Sequence, residues 1–345
     1  MTELIKNTAP LEPQYLPSEF VDRMDEKFAL RAIASDTTET GAQNLHIYGP
    51  RGTGKTHFTH SLLEDNEANT CYVSCNRFNT QYKVLKQIYQ KVAGEDIGSG
   101  HHVSDLQRKV EERTDAVQTV VVLDEIDFLL LNDGDSLLYF LSRIKNSENL
   151  AVITISSNRA ELPLEERTKS SLQPRKINFP MYKTKQVFEI LRIRARDSLI
   201  PRSVQREALT YIASTTSNIN QGLHWLRTAA EHADNAVTEN VVHDVEDQAY
   251  QRYVDSILDP FSTHHDLVYQ AIQELSEKEK QAVVQSGEIY NRYRELCKAY
   301  GEDTLSQRRI SDFLKHLELL DLVEADYHYG GKKGKTREIT LKVDR

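Results

Sequence analysis

The sequence predicts three successive kinds of structure: an α/β core with a parallel sheet, a helical subdomain, and a small domain of helices and a β-hairpin. Between residues 26 and 182, short apolar runs alternate with helical patterns. This alternation is typical of a parallel sheet that is covered on both faces. Between residues 183 and 260 the strand signal stops, and residues 261–345 combine helical patterns with two alternating segments. Residues 1–25 are polar and proline-rich, and they are predicted to form an extended arm.

The individual elements follow from the period of the apolar residues. Strands are predicted where short apolar runs are rich in β-branched residues, at residues 45–48, 70–74, 119–123 and 150–156. The helical subdomain divides into helices at residues 185–199, 204–214, 220–236 and 241–256. It is predicted to end at Asp259-Pro260, since proline cannot continue a helix interior. The last domain is predicted to hold helices at 264–275, 286–300 and 306–320 and strands at 322–329 and 338–343.

Composition excludes several classes of protein. The 345 residues are 39% hydrophobic and 28% charged, which is ordinary for a globular protein and unlike collagen-like or disordered chains. The formal net charge of −9 excludes a uniformly basic nucleic-acid coat, although a local basic patch is still compatible with it. Three cysteines are too few for a disulfide scaffold and lack paired zinc spacing. No apolar run follows a basic start, so a cytoplasmic location is expected.

A complete phosphate-binding motif follows the first predicted strand and precedes a helical run. Its residues are Gly49, Pro50, Arg51, Gly52, Thr53, Gly54, Lys55 and Thr56. Glycines let such a loop curl so that its N–H groups face phosphate oxygens, and the helix N-terminus adds positive charge. In this pattern the lysine reaches the β- and γ-phosphates and the hydroxyl residue holds Mg²⁺. The sequence therefore predicts binding of ATP or ADP with Mg²⁺.

Two carboxylates end the third predicted strand, about 70 residues after the phosphate loop. They are Asp124 and Glu125, directly after Val120-Val121-Val122-Leu123. In combination with the loop, this placement predicts that Asp124 holds Mg²⁺ and that Glu125 polarises the attacking water. The alternative is a solvated strand end.

Two further side chains are candidates for catalysis. Asn158 follows the apolar run 150–156, so it falls at the same edge of a parallel sheet and could orient the attacking water. It could equally be a turn residue, since asparagine favours strand exits. Arg167 lies in a charged loop, where an arginine is usually just a solvated charge.

Other polar residues are predicted to be structural. The dipeptides His101-His102 and His264-His265 lack carboxylate or cysteine partners at ligand spacing, which predicts surface residues without a metal. Cys71 and Cys75 are predicted as buried thiols. Asp127 is predicted to be a solvated or capping residue, and Arg192, Arg194 and Arg196 are predicted to be solvated charges.

The C-terminal domain has the order of a winged helix, which is three helices and then a basic hairpin. In its third helix Ile310, Phe313, Leu314 and Leu317 fall on one apolar face, while Gln307, Arg308, Ser311 and Lys315 lie largely elsewhere. The hairpin carries Lys332, Lys333 and Lys335. This arrangement favours a helix in the major groove of duplex DNA and a wing on the backbone or minor groove. A protein-binding winged helix is the alternative.

The whole chain resembles the archaeal replication initiators, which are relatives of the largest subunit of the origin recognition complex and of the cell-division-control helicase loader. The resemblance lies in the order of arm, nucleotide core, helical lid and winged helix. Specific stretches support it: 44–49 before the loop, Leu123-Asp124-Glu125-Ile126-Asp127, 169–175, 178–182, and Gly287-Glu288-Ile289-Tyr290.

This resemblance implies an ATPase of the AAA+ class, with nucleotide between the core and the lid. It implies that Asn158 is the first sensor and that Arg167 is an arginine finger reaching the ATP of a neighbouring subunit. Residues 76–110 resemble the initiator-specific insertion that touches DNA. The residues that the family places around the adenine are matched by Tyr15, Pro17, Arg23 and Tyr182.

One position departs from the family pattern. The lid helix of this family usually opens with Gly-Asp-x-Arg, and the arginine contacts the γ-phosphate. Here the matching residues are Ser217-Asn218-Ile219-Asn220, so Asn220 stands at the arginine position. Arg227 lies seven residues further on, about 10 Å along a helix axis. Slow ATP hydrolysis is therefore expected.

The function implied is an ATP-dependent switch that recognises replication origins, binds duplex DNA and recruits or loads the replicative helicase. It would form an oligomer on DNA and associate with the nucleoid. One rival is a winged-helix AAA+ ATPase that regulates transcription or signalling. Another is a loader or transposition helper whose last domain binds protein.

Overall fold

We describe a computed structural model of the chain. The chain forms two compact units, Met1–Glu246 and Asp247–Arg345. The predicted boundaries near 25, 182 and 260 stay predictions. The structure describes residues 4–17, 20–24, 26, 43–64, 69–98, 100–115, 117–145, 149–157, 159–279, 283–328 and 336–342.

A five-stranded parallel sheet forms the centre of the first unit, with strands β1 Leu45–Tyr48, β2 Asn69–Ser74, β3 Thr119–Asp124, β4 Leu150–Ser156 and β5 Arg175–Asn178. Their order in the sheet is β2-β3-β4-β1-β5. Strands β3 and β4 are buried along their whole length, as their continuous apolar sequences predict. The register sets Asp124 beside Ser74 and Ser156 beside Tyr48, so the polar strand ends share one edge.

Helices cover both faces of the sheet. Side chains of β3 alternate between two apolar clusters, with Val121 and Leu123 in one and Val120 and Val122 in the other. The α/β fold class is thereby confirmed. The core helices are α1 Lys55–Glu64, α2 Gln81–Ala93, α3 Val103–Thr114, α4 Ile126–Asp133, α5 Ser136–Leu141 and α6 Glu166–Leu172.

The lid is helical, as predicted. Its helices are α7 Thr184–Ser198, α8 Arg206–Thr215, α9 Ile219–His232 and α10 Glu239–Asp244. Asn218 caps α9 by accepting from the backbone N–H of Asn220 at 3.1 Å. The single helix predicted at 241–256 is two helices, because the chain breaks at Val245 between α10 and α11 Glu246–Leu258.

The N-terminal arm packs on the lid, which differs from the expected extended arm. Ile5 forms a β-bridge with Leu199, and Pro10 and Leu11 are buried in a 3₁₀ turn, Ala9–Leu11. Arg194 of α7 was predicted to be solvated, and this prediction is wrong. Its guanidinium is buried and donates to the carbonyl oxygens of Pro10 and Tyr15. Neighbouring carbonyl groups and the Tyr15 ring replace the water that a buried arginine loses.

The second unit has the predicted winged-helix order. Ile310, Phe313, Leu314 and Leu317 are buried on one face of the third helix, and Ser306 caps it. The turn of the wing, with Lys332, Lys333 and Lys335, lies outside the described residues. The elements are α12 Thr263–Glu279, β6 Val284–Gln285, α13 Ser286–Tyr300, α14 Gln307–Leu319, β7 Val323–His328 and β8 Thr336–Leu341.

Besides the prediction for Arg194, two structural predictions for polar residues need correction. His264 and His265 are in α12 rather than in a surface loop, and buried His265 meets His316 at 3.0 Å. Of the two alternatives for Asp127, solvated or capping, the first is wrong, because Asp127 is buried and accepts a hydrogen bond from the backbone N–H of Ser157, after β4, at 3.1 Å. Cys71 and Cys75 are buried in the core, as predicted. Within the described ranges, no helix is both long and apolar enough to cross a membrane.

Candidate nucleotide site and nucleic-acid interface

A cavity of about 490 Å³ opens at the carboxyl edge of the sheet, under the lid. Ligands of open α/β sheets bind at this edge. The cavity is lined by the phosphate loop from Arg51 to Thr56, by Asp124 and Glu125 of the sheet edge, and by Asn220 of the lid. Its position and its polar lining suit a nucleotide.

The phosphate loop has the tight backbone that its glycines permit. Gly49 has φ +148°, and a Cβ atom there would collide with the carbonyl oxygen of Phe179. Gly54 has φ +86°, a region that other residues rarely adopt. The loop can therefore lie against its neighbouring strand and turn directly into α1.

Lys55 lies under the loop with its ammonium group turned back on the loop. Its Nζ donates to the carbonyl oxygens of Gly49 at 2.6 Å and Pro50 at 2.7 Å. Burial lowers the pKa of Lys55 to about 8, although Asp124 opposes this shift. Phosphate groups in the cavity would stabilise the charged form of this ammonium group, which burial destabilises.

Oxygen atoms from three elements meet at the end of β3. Thr56 Oγ1 donates to Asp124 Oδ2 at 2.7 Å, and the hydroxyl of Tyr72 on β2 donates to the same oxygen. Asp124 Oδ1 accepts from the backbone N–H of Glu125 at 2.8 Å. Hydroxyl and carboxylate oxygens are hard ligands of the kind that Mg²⁺ prefers, so Thr56 and Asp124 fit that ion.

Glu125 has an unusual backbone and a charged partner. Its φ of 53° is left-handed, at the junction of β3 and α4. Its carboxylate forms an ion pair with Arg51 of the phosphate loop. Burial raises the pKa of Glu125, whereas the Arg51 guanidinium lowers it. The carboxylate thus faces the cavity with a cation beside it.

The four residues predicted at the adenine end occupy different places. Pro17 and Tyr182 line the cavity. Arg23 is buried behind the loop, where it donates to the carbonyl oxygens of Thr53 and Pro180 and lies over the Tyr182 ring. The carbonyl oxygen of Tyr15 accepts hydrogen bonds from Arg194 and His57, and Tyr15 does not line the cavity.

The predicted catalytic residues do not all line the cavity. Glu125 lines the cavity, whereas Arg167 does not. Arg167 is half-exposed on α6, paired with Glu165 at 2.8 Å and stacked on Tyr139. Asn158 lies outside the described residues.

The lid brings no arginine from α9 into the cavity. Asn220 lines it, but Arg227, two turns further on, forms ion pairs with Glu12 and Glu231 and is not part of the lining. The amide of Asn218 lies against Gly52, where a Cβ atom would meet it. The lid therefore touches the phosphate loop through neutral amides.

Several lining residues were absent from the predicted site, among them Tyr72, His60 and Arg194. Tyr72 lies on β2, and the centroid of its ring is 4.3 Å from that of the His60 ring, to which it is tilted. A tyrosine in an alternating strand has no local signal that distinguishes a cavity position from a packed one. Tyr72 lies opposite Val122 in the pairing of β2 with β3, and this register brings its hydroxyl to Asp124, two residues further along β3.

Part of the predicted DNA-binding set is exposed on α14. Gln307 and Arg308 are exposed in its first turn, and Lys315 is half-exposed and paired with Asp312 at 3.2 Å. At the base of the wing, Arg337 is buried, donates to Glu318 and stacks on exposed Tyr327. The polar face of α14 is accessible, as a recognition helix requires.

Comparison with known proteins identifies both units. Residues 38–162 match a family model described as "AAA domain", and residues 257–345 match one described as "CDC6, C terminal winged helix domain". Two archaeal relatives are similar over almost the whole chain. The ORC1-type DNA replication protein 1 of Methanosarcina mazei is 29% identical over 99% of this chain and 88% of its own length. The ORC1-type DNA replication protein of Thermococcus kodakarensis is 28% identical over 99% of this chain and 89% of its own.

A solved structure agrees with this similarity. The chain of the Aeropyrum pernix ORC1 protein, solved in complex with DNA, superposes with a TM-score of 0.77 at 26% identity. The match covers 100% of this chain and 95% of the other. The predicted family resemblance is confirmed. The chain therefore combines an AAA domain with a Cdc6-type winged helix, and it is similar from end to end to archaeal proteins named ORC1-type DNA replication proteins.

Proposed function

We propose that this chain is an ATP-dependent replication initiator that recognises origins and binds duplex DNA through its winged helix. One observation carries the proposal: a complete phosphate loop and the Asp124–Glu125 pair line one cavity in a chain that ends in a winged helix. Relatives named ORC1-type replication proteins, and an ORC1 protein solved with DNA, support it.

The nucleotide is ATP or ADP, held between the sheet edge and the lid. The loop residues from Gly49 to Thr56 cradle the phosphates, and Lys55 pairs with them. Thr56 and Asp124 hold Mg²⁺, which supplies charge neutralisation on the phosphates when bound. Pro17 and Tyr182 border the base directly, while Tyr15 and Arg23 position the segments around it.

Hydrolysis is a slow secondary activity of the switch. Glu125 accepts a proton from water as the water oxygen attacks the γ-phosphorus, and the bond to the β-γ bridging oxygen breaks to give ADP and phosphate. Asn158 orients that water, and Arg167 reaches the ATP of a neighbouring subunit in an oligomer on DNA. The exposed guanidinium of Arg167, away from its own cavity, supports a role in trans.

DNA contacts divide between the helix and the wing. Gln307 and Arg308 are exposed at the start of α14 and suit base edges. Lys315, Lys332, Lys333 and Lys335 suit phosphates, which carry affinity but no sequence information. Bound at an origin on the nucleoid, the chain would recruit the replicative helicase.

Chromosome-wide mapping of binding tests this function. Cross-linked DNA fragments bound by the chain should coincide with the start sites of replication mapped independently in the same cells. Binding concentrated at promoters, away from replication starts, would favour the rival regulator of transcription.

A further inference from the structure

Arg51 of the phosphate loop and Glu125 of the sheet edge form a partly buried ion pair. Arg51 Nη2 donates to Glu125 Oε1, and both side chains are about four-fifths buried, with exposed fractions of 18% and 21%. Both line the nucleotide cavity. A charge-assisted contact of this kind in a shielded site is stronger than a surface ion pair.

The position of Glu125 defines the position of Arg51. Glu125 can activate a water for attack on the γ-phosphorus only from the γ end of the cavity. A guanidinium that is hydrogen-bonded to its carboxylate lies at that same end. Lys55, by contrast, is bound to the carbonyl oxygens at the start of the loop and has no hydrogen bond to Glu125 among the described contacts, so it would pair with the β-phosphate that ATP and ADP share as well as with the γ-phosphate.

Among the lining residues, the lid brings no guanidinium to that end. Asn220 is neutral, and the lid arginine in the lining is Arg194, which is bound to the carbonyl oxygens of Pro10 and Tyr15 at 3.2 and 3.1 Å. Arg194 therefore belongs to the end of the cavity where the arm lies.

We propose that Arg51 distinguishes ATP from ADP in this chain, by exchanging its ion pair with Glu125 for one with the γ-phosphate. The inference rests on the proposed nucleotide function and adds a role to a residue that the phosphate-loop pattern leaves undefined. ADP ends at the β-phosphate and leaves the Arg51–Glu125 pair in place. ATP brings a more highly charged anion to the same guanidinium and releases Glu125 to act on water. Arg51 is thus a specificity residue for the nucleotide and a positioning residue for Glu125.

Calorimetric titration with ADP and with the non-hydrolysable ATP analogue AMPPNP, both with Mg²⁺, measures this discrimination. Arg51→Ala should weaken AMPPNP at least tenfold and ADP less than threefold. Arg51→Lys should recover part of the AMPPNP affinity, because an ammonium also pairs with phosphate. The control is Arg192→Ala on α7, where an exposed arginine pairs only with Glu189 among the contacts described; both affinities should stay at the wild-type values.

Glu125→Gln tests the exchange from the other side. Since the neutral amide competes less for Arg51, AMPPNP should bind at least threefold more tightly than to wild type, with ADP unchanged. In the Arg51→Ala background, Glu125→Gln should no longer alter the ratio of the two affinities. ADP binding by each variant shows that its pocket is folded, and the Lys and Gln variants keep the test valid if the Ala variant unfolds.

The possible outcomes distinguish failure of the proposed role of Arg51 from failure of the proposed nucleotide binding. Equal losses for ADP and AMPPNP in Arg51→Ala, or an unchanged ratio, would overturn the role of Arg51 while leaving nucleotide binding intact. A Glu125→Gln effect that persists without Arg51 would overturn it too. A wild-type chain that binds neither nucleotide would overturn the proposed function itself.

Discussion

At the scale of single residues, the Lys55 ammonium group bonds to two carbonyl oxygens of its own loop, at 2.6 and 2.7 Å. Phosphates offer it charged acceptors instead. We expect Lys55→Ala to weaken ATP binding about 100-fold, from the roughly 3 kcal/mol of a hydrogen bond to a charged group. Calorimetry checks this, with exposed Lys185→Ala as the matched control. Tight ATP binding by Lys55→Ala would contradict the assignment of the loop.

The same residue should give ATP binding a pH dependence. With a pKa of about 8 in the free protein, Lys55 is largely neutral above that pH, so binding must also take up a proton. The ATP affinity of the wild-type chain should therefore fall by up to about tenfold per pH unit above pH 8. The ATP affinity of Lys55→Ala should not show this fall above pH 8.

The sequence predicts those parts of the candidate site in which the chemistry requires a particular residue type at a fixed spacing. The phosphate loop needs glycines for its backbone and a lysine for its charge, so Lys55 and Thr56 stand out. The partners of Tyr72 and Arg51 depend on strand register and on rotamers, neither of which leaves a local pattern. Buried Arg194 was misjudged because its partners, the Pro10 and Tyr15 carbonyl groups, are about 180 residues away in the sequence.

At the scale of elements, the first turn of α9 determines whether the lid places a charged side chain beside the nucleotide. Asn220 lines the cavity there, and Arg227 is held by Glu12 and Glu231. Asn220→Arg should raise ATP turnover by the isolated chain at least tenfold, since one placed arginine stabilises the transferred phosphoryl group. A coupled phosphate-release assay measures this turnover. Rapid hydrolysis by wild type, with no change in Asn220→Arg, would mean that the charge comes from elsewhere.

Helices α12 and α14 are joined by a pair of histidines that should make the winged helix sensitive to acid. His265 Nε2 and His316 Nδ1 are 3.0 Å apart with stacked rings, and Phe261 and Phe313 lie beside them. Burial lowers the pKa of His265 to about 3, and the neighbouring His316 contributes to that shift.

The unfolded state therefore binds protons that the folded state excludes. The stability that the neutral pair provides is present above the ordinary histidine pKa of about 6.5 and is lost as the pH falls towards 3. Between pH 6.5 and 4.5 the loss should be on the order of 2 kcal/mol. Amide hydrogen exchange in α12 and α14, corrected for intrinsic rates, measures it. His265→Gln should flatten this dependence, and an unchanged slope would contradict the assignment to this pair.

Most elements could be predicted because their apolar periodicity is strong. Strand β5 is the exception in the core, since only Ile177 of its four residues is buried and no apolar run marks it. The break between α10 and α11 carries neither glycine nor proline, so the periodicity of 241–256 suggests one continuous helix. Such a break is set by tertiary packing, which a local pattern does not contain.

At the scale of the whole molecule, the proposed binding of DNA by an acidic chain of net charge −9 requires a local basic surface. Replacing Lys332, Lys333 and Lys335 by alanine should weaken all DNA sequences alike and reduce the slope of log affinity against log salt by about three. Arg308→Ala should instead cost roughly 1–3 kcal/mol at particular base pairs. Fluorescence anisotropy over a salt series separates the two behaviours. If neither set of changes alters DNA binding, the winged helix serves a protein partner.

The central claim is that nucleotide site and winged helix together make an origin-binding protein. The most direct test is the affinity of the full chain, with ATP and Mg²⁺ at physiological salt, for a duplex that spans a mapped replication start of its own chromosome. A shuffled duplex of the same length and composition is the comparison. We expect the origin duplex to bind about a thousandfold more tightly, the lower end of specific recognition. Equal affinities for the two duplexes would contradict the account.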